Sequence, residues 1–153
     1  MTEELSAAEP DRVNYLRYLG LHHYRLGCLA DRLSNKETSK KDIDLAVNFQ
    51  RQVFDVDKSN DRRRAELMLS LARQGSVDEA KTFAEDLASR ANIDSEMLVD
   101  IARCYAQCSR VADTSSEATL LKASAMLDKA RQLGFESEYW LRNELDLAPL
   151  YAK

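Results

Sequence analysis

Apolar residues recur along this chain at intervals of three and four, and short polar runs interrupt them. Seven helical segments follow from that rhythm. The first runs from Asp11 to Leu33 behind Pro10, and the polar run "NKETSKK" breaks it. The second covers Asp42 to Val56, with Ser39-x-x-Asp42 as its capping box. "DKSN" separates it from a third helix, Arg62 to Gln74, with Gly75 in the place of a C-cap. Ser76-x-x-Glu79 caps the fourth, which reaches Ala91. The fifth starts at Asp94 or Ser95 and ends near Ser109, and Thr114-x-x-Glu117 caps a sixth that stops at Gly134. Ser137 opens a short last helix before a tail at Pro149.

The segments pair, and the pairs repeat. In the first helices, Leu16, Leu19, Gly20 and His23 align with Arg64, Leu67, Met68 and Leu71, and with Leu98, Ile101, Ala102 and Tyr105. In the second helices, Ala46, Gln50 and Val53 align with Ala80, Ala84 and Leu87, and with Ala123, Leu127 and Ala130. Met68 to Ala102 and Ala46 to Ala80 are both 34 residues. Ala46 to Met68 and Ala80 to Ala102 are both 22 residues. The irregular spacings fall inside hairpins, where "LSNKETSKK" and "VADTSSEAT" read as loop insertions that leave the stacking intact. The fold expected is all-α: a single domain, residues 1–153, with helix–turn–helix units at 12–58, 62–92 and 94–134 and a capping segment at 137–153.

Composition narrows the class. Four glycines and two prolines in 153 residues leave too little turn chemistry for a hairpin-rich β fold. A formal charge of −4 gives no global pull towards nucleic acid. The basic runs "DRRRAE" and "KETSKK" lack interleaved aromatics, so an RNA-binding repeat is the weakest reading. Three cysteines, an odd number, and an acidic start without an apolar core point to reduced thiols and a cytoplasmic setting. No apolar run is long enough for a bilayer, so no membrane partner is expected.

The 34-residue helix–turn–helix period, with "LG" at 19–20 and an alanine opening each second helix, resembles the tetratricopeptide repeat. The resemblance covers roughly residues 12–134, although Leu16, Arg64 and Leu98 stand where the family has an aromatic and no proline ends a unit. The closing segment, through Leu133-Gly134-Phe135, Trp140-Leu141-Arg142 and Asp146-Leu147-x-Pro149-Leu150, is similar to the ends of some bacterial tetratricopeptide proteins, including arrays appended to Ser/Thr kinases. The chain itself carries no kinase glycine loop or catalytic-loop motif.

The resemblance implies a non-catalytic protein–protein interaction module, a scaffold that holds a peptide or partner segment on a concave face lined by the first helices. On this sequence that face comprises Asn14, Arg17, Leu21, Tyr24 and Arg25, then Arg62, Ala65, Leu69, Ala72 and Arg73, then Glu96, Val99, Arg103, Ala106 and Gln107. Two readings of its five arginines stand. They form a groove for an acidic ligand, since the guanidinium fork binds carboxylates in pairs of hydrogen bonds; or they pair with acidic neighbours on a solvated face. The family's chaperone-tail carboxylate clamp is disfavoured, because it needs asparagines where Leu21 and Leu69 stand. The other implied role is a regulatory or sensor segment of a larger enzyme such as a bacterial Ser/Thr kinase.

No catalytic site is expected, because no activated nucleophile, carboxylate pair or phosphate loop is visible. Nor is a metal or cofactor. Cys104 and Cys108 share a helix face, Cys28 lies far off, and adjacent His22 and His23 point apart. Those thiols read as buried and structural, His23 as a packed core histidine, and Tyr139 and Trp140 as a cover for the apolar end of the stack.

Overall fold

The computed structural model describes residues 10–111 and 116–152, and among these every regular element is a helix. They are α1 (Pro10–Arg32), α2 (Lys36–Val56), α3 (Asp61–Gln74), α4 (Val77–Ala88), α5 (Ser95–Cys108), α6 (Ser116–Gln132) and α7 (Glu138–Asn143). One turn of 3-10 helix (Leu145–Leu147) and α8 (Ala148–Tyr151) complete the described chain. The fold is all-α, as the apolar period and the scarcity of turn residues imply. Two compact units divide between Ser70 and Leu71.

In the first unit α1 and α2 form a long hairpin, with α2 packed along α1. Two glycines on α1 make the close approach possible: a Cβ on Gly20 would stand 2.7 Å from Gln50 Cγ, and one on Gly27 2.7 Å from Ile43. The polar run at 35–41 is not the loop expected of it. Asn35 caps α2 by accepting the Thr38 amide, and helix continues from Lys36. Lysine and glutamate are good helix formers, and the two arms simply grow longer together, so the polarity marks exposure rather than a break. Ser39 and Asp42 consequently do not cap. The Ser39 hydroxyl donates to Gly27 O at 2.9 Å, and Asp42 meets His23 Nδ1 at 2.9 Å. His23 also stacks on Phe49, so it is a packed, hydrogen-bonded histidine.

In the second unit α5 lies between α4 and α6, and the 3-10 turn and α8 pack against it as well. All of Met97–Cys108 is buried except Arg103, which is half-buried. The aligned alanines Ala80 and Ala123 have no exposed surface, as expected of residues where helices approach closely. Asp94 caps α5 by accepting the Met97 amide. Ser76 does not form its capping box; its hydroxyl turns to Gln74 instead, and α4 ends at Ala88. Thr114 of the other expected box lies outside the described residues.

Three helices end the same way. Gly75 and Gly134 have φ of +91°, Ser34 has φ of +61°, and in each case the next amide bonds back to a carbonyl five residues earlier. Pro149 is not in a tail but near the start of α8.

Candidate partner-binding surface

The residues expected to line a groove meet different fates. In the first unit Arg17 does not face open solvent: its Nε lies 3.0 Å from Glu66 Oε2 and its Nη2 2.5 Å from Oε1. That hydrogen bonding raises the Arg17 pKa further. Tyr24 and Leu69 are buried, Leu21 is half-buried, and Asn14, Arg25 and Arg62 are exposed. In the second unit Val99 and Gln107 are buried, 2% exposed each. Ala106 is fully buried beside them, while Glu96 is exposed.

Arg73 and Arg103 are consumed by a carboxylate that the repeat pattern does not contain. Asp146, 1% exposed, takes Arg73 Nε at 2.6 Å on one oxygen and Arg103 Nη2 at 2.7 Å on the other. Arg103 also reaches Asp100 at 2.8 Å, and Gln107 donates to the Asp146 carbonyl at 2.6 Å. The 3-10 turn that carries Asp146 is thereby held against α5, with Leu147 fully buried beside it. This cluster satisfies the polar side chains of an otherwise apolar helix. For Arg17, Arg73 and Arg103 the reading as paired arginines therefore fits the geometry, and an open arginine groove does not.

The covering role expected of Tyr139 and Trp140 goes elsewhere. Tyr139 is 82% exposed and Trp140 39%, resting edge-on to Phe135; the residues that pack inward are Leu141 and Leu147. Cys104 and Cys108 are buried, as expected of structural thiols, and Cys28 is too. The Cys104 thiol donates to Cys108, which pushes Cys104 up and Cys108 down.

What the repeat pattern missed is the outer face of α1. Tyr15 and Tyr18 are 63% and 70% exposed, Leu26 38% and Leu29 50%. Their spacing of three, eight and three residues puts them on one stripe, and exposed His22 falls within it. Leu33, just past the helix end, extends the stripe at 80% exposure. The signal was present in the sequence: Tyr15, Tyr18, Leu26 and Leu29 recur at helical spacing on a different face from Gly20 and Gly27, which meet α2. Arg25 and Arg32, a heptad apart, border the stripe and carry no ion pair among the described residues. No helix among the described residues is long and apolar enough to cross a membrane. Comparison with protein-family models, curated proteins and solved structures finds no match to this chain.

Proposed function

We propose that this chain is a non-catalytic protein-interaction module of tetratricopeptide-like helical hairpins, and that a partner segment is received on a helix face. The observation that carries the reading is the exposed stripe of α1. Exposed apolar residues aligned on one face of a well-packed hairpin mark an interaction site, whereas scattered single ones do not. Tyrosine suits such a face, since its ring adds contact area and its hydroxyl stays hydrated. The helix behind it is anchored to α2 at Gly20 and Gly27, so the surface is presented rigidly.

A photo-crosslinking residue at Tyr18 tests this against the same residue at Asn48, exposed and polar on α2. The expected outcome is a discrete adduct from position 18 in host-cell extract and none from position 48. Equal labelling from both positions would remove the reading.

A further inference from the structure

We infer that the occupant of the α1 stripe is an acidic amphipathic helix of another protein. The inference rests on the interaction-module reading and adds the chemistry of the partner. Tyr15, Tyr18, Leu26 and Leu29 span 14 residues, about 21 Å of helix, which is the length of two heptads of a partner seam. The stripe is one side chain wide. It matches the apolar seam of a second helix lying along it, which is the usual way an amphipathic helix is recognised.

Charge decides between occupants. The exposed charged residues of α1 are three arginines and one acid, Asp11, in a chain whose formal charge is −4. Arg25 and Arg32 repeat at seven residues along one edge of the stripe, so they face the same flanking position in successive heptads of a partner. Carboxylates there would meet both guanidinium groups, and lysines would be repelled. A second copy of this chain fits badly. Asp11 is the single exposed acid of α1, so a second copy cannot supply a carboxylate to both Arg25 and Arg32 of each chain. A bilayer surface asks for a broad apolar face, which a stripe one side chain wide does not supply.

Two stapled 21-residue helices with leucine at positions a and d provide the test, one with glutamate and one with lysine at e and g, titrated by fluorescence anisotropy against the full chain. The glutamate helix should bind, and the lysine helix at least about tenfold more weakly. Leu29→Asp, at a half-exposed site that leaves the fold intact by circular dichroism, should weaken the glutamate helix by about thirtyfold. The double variant Arg25→Glu/Arg32→Glu should invert the preference.

Equal affinity for the two helices would refute the acidic chemistry while leaving the docking face of the interaction-module reading standing. Unchanged binding by Leu29→Asp, or no binding of either helix, would refute the face as their site. Tighter binding to phosphatidylglycerol vesicles, or a concentration-dependent dimer in sedimentation, would overturn the proposal in favour of lipid or a second copy.

Discussion

Helices α1 and α5 occupy the same place in the repeat pattern, yet one is half-exposed and the other is enclosed. Leu16, Leu19, Gly20 and His23 of α1 align with Leu98, Ile101, Ala102 and Tyr105 of α5. Ile101 and Ala102 have no exposed surface, whereas Leu16 and Leu19 are half-buried. The difference lies in what covers each helix within its own unit. α5 has α4, α6 and the segment 145–151 against it, while α1 has α2 along one side and meets α3 through Arg17 and Glu66. The same period of apolar residues therefore builds a core in one helix and leaves a surface stripe in the other. Repeat register tells which residues face a neighbour; it does not tell how many neighbours there are.

The enclosure of α5 is most sensitive at Asp146. Asp146→Ala would leave the buried Arg73 and Arg103 guanidinium groups without their shared carboxylate, at a cost of about 3–5 kcal/mol. Urea denaturation measures it, and a loss below about 1 kcal/mol would mean that the cluster is solvated. A matched pair of truncations comes next. Ile101→Ala should cost about 2–5 kcal/mol, while Leu29→Ala on α1 should stay within about 0.5 kcal/mol. Comparable losses at the two sites would erase the contrast between the helices.

Alkaline pH probes the same enclosure of α5. Burial, with Glu85 adding to it, pushes Tyr105 up to about 12 from an ordinary value near 10. A raised phenol pKa favours the neutral form in the folded protein. The stability it represents is complete below pH 10 and is lost as pH climbs from about 10 to 12. Tyr105→Phe should flatten that alkaline loss; an unaltered alkaline midpoint would show that other groups dominate. The smallest effect is at the hairpin turn beside α1. Ser34 holds a left-handed conformation that Gly75 and Gly134 hold at other helix ends, so Ser34→Gly should stabilise by about 0.5–1 kcal/mol. A destabilised variant would mean that the Ser34 side chain is needed at the turn.

Local chemistry was largely legible and long-range pairing was not. The Gly75 and Gly134 helix ends and the Asp94 cap follow from residue type, because each depends on neighbours within a few positions, and the tight alanines at 80 and 123 follow from the repeat spacing. The start of α2 departs from the expected loop, since "NKETSKK" is polar enough to resemble a loop while its lysines and glutamate sustain a helix. The arginines show the deeper limit. Arg73 and Arg103 find Asp146 at separations of 73 and 43 residues, and no periodicity marks that carboxylate as their partner. Arg25 has the same side chain and stays exposed. Only the fold separates an arginine that holds the chain together from one offered to a ligand.

Tyrosine reports directly on the α1 stripe, because it occurs on both helices. With fluorotyrosine incorporated, 19F spectra of the full chain can be followed as the glutamate-flanked helix is added. Resonances of Tyr15 and Tyr18 should shift together and saturate, while those of enclosed Tyr105 and of Tyr139, 82% exposed but remote in sequence, stay in place. Shifts at Tyr139 with Tyr15 and Tyr18 unmoved would contradict the assignment of the α1 stripe as the docking face.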